Sequence, residues 1–129
     1  MADFLETIAD AQLRPSPIHG RGLFSLRERP LGEVLCILEG EVVSHGEDLD
    51  FLLRHEWNAL SADEILLRRD WTSYGFINHA RPANLTIRLD DHSLRAARDI
   101  MAGEELTLDY TEHGMPEVYL NSAHGSYLG

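Results

Sequence analysis

A chain of 129 residues, 43% apolar and 26% charged, is large enough for one folded domain and is composed like an ordinary globule rather than a disordered segment. Its net charge of −11, from 22 acidic and 11 basic residues, disfavours direct nucleic-acid binding, because phosphate contacts need a basic face. The same charge suits attraction of a Lys/Arg-rich partner, or serves solubility alone.

In chain order, residues 3–13 carry Phe4, Leu5, Ile8 and Leu13 at roughly helical spacing, and Pro15-Ser16-Pro17 ends the segment. A short helix and an extended arm both fit. The segment lacks the basic-then-apolar pattern of a signal peptide, and no apolar run approaches the ~20 residues a bilayer needs. Gly20-Arg21-Gly22 is no dinucleotide fingerprint, which requires a third glycine, a preceding strand and a following helix. By itself it reads as a hairpin or bulge, with a close backbone approach to a ligand left open. Strands are expected at 22–26, 34–38 and 41–43, with Glu39-Gly40 as a turn. Cys36, the one cysteine, falls in the second of these as a buried structural thiol; it precludes an intrachain disulfide framework and suits the cytoplasm. The clearest helix covers roughly 47–58, with Leu49, Leu52, Leu53, Trp57 and Leu60 in a stripe and Glu47, Asp48 and Asp50 near its N-terminus.

Strand texture resumes at 65–67. Phe76-Ile77 then runs into Asn78-His79 without a turn residue, which places a polar pair at the inner end of a buried strand. Turn chemistry of Asn78, Pro82 and Asn84, or a polar ligand, would satisfy those groups, and the residues alone leave both open. Leu85, Ile87 and Leu89 alternate with polar residues as a half-buried strand, 90–93 is a turn, 94–100 returns, and 102–104 turns again. Along 105–110, Tyr110 shares a face with Leu106 and Leu108, as either a core tyrosine or one with its hydroxyl at a pocket. The tail, 111–129, looks irregular. His19, His45, His55, His79, His92, His113 and His124 form no i, i+4 pair and stand beside no CxxC, so no metal site is expected. A hydrolase is poorly supported, with no Gly-x-Ser-x-Gly elbow and no evident partner for Cys36. All eleven basic residues are arginine, so the lysine of a Walker phosphate loop is missing, and an enzyme acting on lysine would have none of its own to modify.

Three stretches together carry a resemblance. Ser16-Pro17-Ile18-His19-Gly20-Arg21-Gly22-Leu23-Phe24, Phe76-Ile77-Asn78-His79-Ala80-Arg81-Pro82-Ala83-Asn84, and 98–110 with Gly103-Glu104-Glu105-Leu106-Thr107-Leu108-Asp109-Tyr110 resemble, in order, the opening, the FINHSxxPN signature and the closing motif of SET domains. That resemblance implies a mainly β fold (the β-clip) of several small sheets with one or two short helices, in which the Asn-His segment and the C-terminal segment form a pseudoknot. The implied division is an N-terminal segment 1–15, a SET domain 16–111 and a degenerate post-SET-like tail 112–129. The implied activity is methyl transfer from S-adenosylmethionine to a lysine of a Lys/Arg-rich protein or peptide; a non-catalytic binding module is the alternative. Gly20, Arg21, Gly22, Asn78 and His79 are then expected at the cofactor, and Tyr110 at the methyl-transfer point. Two departures stand out: Ala80-Arg81 where many members have Ser-Cys, and a tail 122–129 resembling a post-SET CxCGSxxC segment without its cysteines. All four zinc-binding cysteines are gone together, so no zinc is expected. Tyr119 and Tyr127, or a second subunit, must then cover the lysine channel, and the homodimers of short viral members make a homodimer an expectation here.

Overall fold

The computed structural model describes residues 4–44 and 48–128 as ten short strands, two short α-helices and two 3₁₀ turns. The chain divides into two compact units. Among the described residues no helix is long and apolar enough to cross a membrane.

The first unit comprises residues 1–38 and 72–109. Strands β1 (Ala11–Pro15) and β2 (Arg21–Ser25) form an antiparallel hairpin, with Leu13 opposite Leu23 and Pro15 opposite Arg21. The N-terminal segment is therefore an extended arm rather than a helix from residue 4 onward. Leu5 bridges to Thr72, and the Thr7 N–H donates to Ser73 Oγ at 2.9 Å. Arg29, only 2% exposed, anchors the arm's far end by donating from Nη2 to the Ala9 and Asp10 carbonyls at 2.6 and 2.9 Å.

A five-stranded sheet follows the order β3-β9-β8-β10-β7, built from β3 (Val34–Ile37), β7 (Asn78–His79), β8 (Leu85–Arg88), β9 (Ser93–Ala96) and β10 (Thr107–Leu108). Strands β7 and β8 are joined by a short loop with a cis Arg81–Pro82 peptide, yet β10 lies between them, parallel to both. The C-terminal segment of this unit is thus threaded through the 80–84 connection. This threading also explains why the alternation expected over 105–110 is lost. Leu106, Thr107 and Leu108 are all buried because a central strand is covered on both faces.

Other expectations are revised within this unit. Ser73–Phe76 form a 3₁₀ turn capped by Thr72, so Phe76 does not extend a strand into Asn78. Cys36 is half-buried, on an edge strand whose neighbours Val34 and Ile37 are exposed. Strand β8 stops at Arg88, leaving Leu89 41% exposed beside the turn where His92 adopts φ 57°.

The second unit comprises residues 39–71 and 110–129. Strands β4 (Glu41–Val43), β5 (Glu56–Ala59) and β6 (Ile65–Arg68) form a three-stranded antiparallel sheet in the order β4-β6-β5. The helix expected over 47–58 is only α1, Leu49–Leu53, with Asp48 as N-cap; Glu47 and His45 lie outside the described residues. Tertiary pairing overrides the helical period here. Glu56 stands opposite Arg68 across β5 and β6, and the two form a buried ion pair extended by an Arg68 Nη1 bond to Asn58 Oδ1 at 2.7 Å. Trp57 still meets the helix, donating from Nε1 to the Leu52 carbonyl at 2.8 Å.

The tail is more ordered than its composition suggests. Pro116 opens α2 (Glu117–Leu120), and a 3₁₀ turn spans Ala123–Leu128. Leu128 is 3% exposed and packs with Ala59 and Met115. Gly125 lies so close to α2 that an added Cβ would sit 2.2 Å from the Tyr119 carbonyl oxygen.

Candidate functional site

In the first unit, the expected cofactor residues Gly20, Arg21, Gly22 and Asn78 come together around Glu105, a residue with no expected site role. The Asn78 amide donates from Nδ2 to the carbonyls of His19 and Arg21 at 3.0 and 3.3 Å and to Glu105 Oε2 at 2.9 Å. Ser16 Oγ donates to the same carboxylate at 2.8 Å, and the Ser16 N–H donates to the Gly20 carbonyl at 2.8 Å. Glu105 therefore ties the 16–22 loop to β7. Its signal in the sequence is its place in the closing motif, at the start of the Glu105–Tyr110 run.

Two features of this cluster suit a ligand at the backbone. Gly20 has φ 45°, a left-handed conformation that favours glycine, and open space where its Cβ would lie. Among the described residues nothing donates to Asn78 Oδ1, which leaves one acceptor beside that loop.

Asn84 has a different role from Asn78. It is 2% exposed and fully used inside the fold: Nδ2 donates to the Glu105 carbonyl at 2.8 Å, Oδ1 accepts from the Thr107 N–H at 2.8 Å, and its own N–H donates to Thr107 Oγ1 at 3.1 Å. It fastens β10 in its threaded position.

His79 sits on β7 opposite Leu108, its side chain 9% exposed and its Nδ1 4.0 Å from Asp109 Oδ1. Burial holds the imidazole below its ordinary range, Asp109 opposes that shift, and neighbouring Arg81 reinforces it. Arg81 Nε lies 3.4 Å from His79 Nε2 and 3.9 Å from Asp109 Oδ1. The departure from the usual Ser-Cys thus puts a cation beside the expected cofactor histidine.

An open cavity of about 440 Å³ lies on the same unit, lined by the arm residues Phe4, Glu6, Ile8 and Leu13 together with Arg21 and Phe76. Arg21 contributes twice: its carbonyl accepts from Asn78, and its guanidinium lies 5.8 Å from the centre of the Phe76 ring.

Tyr110 belongs to the second unit, where it is half-buried in an aromatic cluster. Its ring meets that of Tyr127 edge-on at 6.5 Å; Tyr127 meets Tyr119 at 6.4 Å, and Tyr119 meets Trp57 at 5.1 Å. The Tyr119 and Tyr127 hydroxyls are hydrogen-bonded at 2.9 Å. Desolvation, followed by this bond, pushes the Tyr127 hydroxyl above the ordinary phenol range, although the residue is 50% exposed. Among the described residues no group of three or more His, Cys, Asp or Glu is placed to hold a metal ion.

The SET domain family model matches residues 20–111. The chain belongs to the SET domain family. The match takes in every expected cofactor residue and Tyr110, while the arm and the tail fall outside it. A comparison with curated proteins found no match. SET domains are generally protein-lysine methyltransferases that use S-adenosylmethionine.

Proposed function

We propose that this SET domain transfers a methyl group from S-adenosylmethionine to a lysine side chain of a Lys/Arg-rich protein or peptide. The observation that supports the reading is the threaded β7–β10 pairing, which sets Asn78 opposite Thr107 and His79 opposite Leu108 within the first unit. The residues suit the cofactor: an open, left-handed Gly20, an unused Asn78 acceptor and an arginine at a cavity are complementary to a polar, zwitterionic molecule. In this reading the backbone of Gly20, Arg21 and Gly22 and the polar groups of Asn78 and His79 bind it. When bound, it supplies an electrophilic methyl on a sulfonium.

The rest of the work is alignment. Methyl transfer is an in-line displacement, so positioning the amine against the methyl carbon accounts for most of the acceleration. A free lysine titrates near ~10.4, and a water-poor channel lowers that value by disfavouring the ammonium. Tyr110 orients the neutral amine through its hydroxyl. Tyr119 and Tyr127, packed around Tyr110, serve as the cover that a zinc-bound segment supplies in other members.

Charge supports a cationic substrate. The second unit contains eleven acidic residues and three arginines, one of which, Arg68, is buried with Glu56. The unit that contains Tyr110 thus has half of the chain's acidic residues but only three of its eleven arginines, and most of the net negative charge lies there.

The test is label transfer from methyl-labelled S-adenosylmethionine to a lysine-rich polypeptide, with Tyr110→Phe and Asn78→Ala variants alongside. Transfer by the wild type, with much less by both variants, is expected. Cofactor binding without transfer to any polypeptide would sink the proposal in favour of a binding module.

A further inference from the structure

The cavity beside Arg21 is walled on one side by residues that precede the family match. Its arm wall is held by backbone structure rather than by loose packing. Leu5 bridges to Thr72 and accepts from the Ser73 N–H at 3.1 Å, Thr7 is bonded to Ser73, and Ala11–Pro15 pair along β2. A wall fixed at both ends presents a formed site rather than one that must be ordered on binding.

The lining has a definite chemical character. Phe4 and Phe76 have ring centres 4.6 Å apart at a tilt of 55°, and Leu13, Leu23 and Ile8 supply further apolar surface. Against this stand two exposed, opposite charges, the Glu6 carboxylate and the Arg21 guanidinium. The volume, about 440 Å³, falls within the roughly 300–1,000 Å³ of small-molecule sites. One cationic and one anionic group over an apolar floor complement a ligand that carries a carboxylate and an ammonium close together.

We infer that the N-terminal arm completes the cofactor site: Glu6 binds the α-ammonium of S-adenosylmethionine, Arg21 binds its carboxylate, and Phe4 closes the apolar side. This inference rests on the proposed cofactor and adds Glu6 and Phe4 to its binding residues. Arg21 is the link, since its carbonyl is bonded to Asn78 while its side chain lines the cavity.

Calorimetric titration, which needs no turnover, tests it with two probes. S-adenosylhomocysteine carries the zwitterionic end, whereas methylthioadenosine lacks it. The wild type is expected to bind the first more tightly. Glu6→Gln and Arg21→Gln should each weaken S-adenosylhomocysteine about tenfold or more, as expected for a lost bond to a charged group, and leave methylthioadenosine nearly unchanged. Phe4→Ala should weaken the first probe as well, while Leu5→Ala, exposed on the same arm and not lining the cavity, should not. Glu6 is exposed, so its neutral replacement leaves the fold intact. A wild type that binds neither probe overturns the cofactor reading and this inference together. A wild type that binds S-adenosylhomocysteine, with Glu6→Gln binding it equally well, overturns the role of the arm alone. Equal weakening of both probes overturns the assignment to the zwitterionic end.

Discussion

The Asn78 amide and the Glu105 carboxylate meet at 2.9 Å in the space that a Cβ on Gly22 would occupy. An added Cβ at Gly22 would lie 2.2 Å from Glu105 Oε2 and 3.1 Å from Asn78 Nδ2. Glycine at position 22 thus makes room for an internal bond between the loop and β7. Gly22→Ala is expected to cost about 1–3 kcal/mol, because Glu105 can move away only by releasing Asn78 and Ser16. Glu105→Ala in the same chain removes the obstruction and should recover part of that loss. Urea unfolding of the two single variants and the double variant measures the coupling, and strictly additive losses would show that Glu105 is not what constrains Gly22.

Asn84 should behave as a fastening of the threaded strand. It is buried, and each of its bonds to Thr107 and Glu105 is internal. Asn84→Ala leaves the Thr107 N–H and the Glu105 carbonyl without their partner, at an expected cost of about 3 kcal/mol. The drop should be evident in the midpoint of a urea transition. A loss below about 0.5 kcal/mol would mean that β10 is held by its strand pairing alone.

The motifs were legible in the sequence because they are short and local; what joins them was not. Gly20-Arg21-Gly22, Asn78-His79 and the run to Tyr110 stand out by order and residue type. Nothing in their spacing says that β10 passes between β7 and β8, since parallel pairing between segments far apart leaves no local period. The helix expected over 47–58 failed for the same reason. Leu49, Leu52 and Trp57 obey the helical period, but the partner that captures Glu56 is Arg68, twelve residues away across a strand pair. The tail misled through composition: its glycine and serine suggested irregularity, while Gly125 is the point where the last turn packs closely on α2.

Tyr110→Phe separates orientation from binding. The ring stays in its aromatic cluster, so the fold and cofactor affinity should be nearly unchanged, whereas kcat should fall by about 10²-fold, as when one oriented polar group is removed from a reacting centre. Steady-state kinetics combined with a binding titration distinguishes the outcomes. An equal rise in cofactor Kd would place the hydroxyl at the cofactor rather than at the amine.

Stability should decline with acid in two windows. Burial lowers the folded-state pKa of His79 below the ordinary 6.5, so the unfolded chain takes up that proton first. The contribution is intact above that value and is lost as the pH falls beneath it. Asp91, held down to about 2 from 3.8 chiefly by Ser93, and Glu33 and Glu104, held below 4.5 chiefly by Arg27 and Arg98, act in a lower window. Their stabilisation is present above the ordinary carboxylate range and disappears as the pH falls through it. His79→Gln should flatten the stability profile just below the ordinary imidazole range and leave the lower window unchanged. An unaltered upper slope would assign that window to other groups.

Ionic strength tests the substrate class. If the eleven acidic residues of the second unit draw in a cationic polypeptide, the attraction acts over a Debye length, about 10 Å in 0.1 M salt and about 3 Å in 1 M. KM for a lysine-rich polypeptide should therefore rise several-fold from low to high salt, with kcat little changed, because oriented contacts at Tyr110 are less screened than approach over the surface. Substituting exposed Asp63 and Glu64 with their amides should reproduce part of the high-salt KM at low salt. The thermal midpoint, followed in the same buffers, separates screening of substrate from any effect on the fold. A KM indifferent to salt would argue for a small or uncharged acceptor and against a Lys/Arg-rich polypeptide.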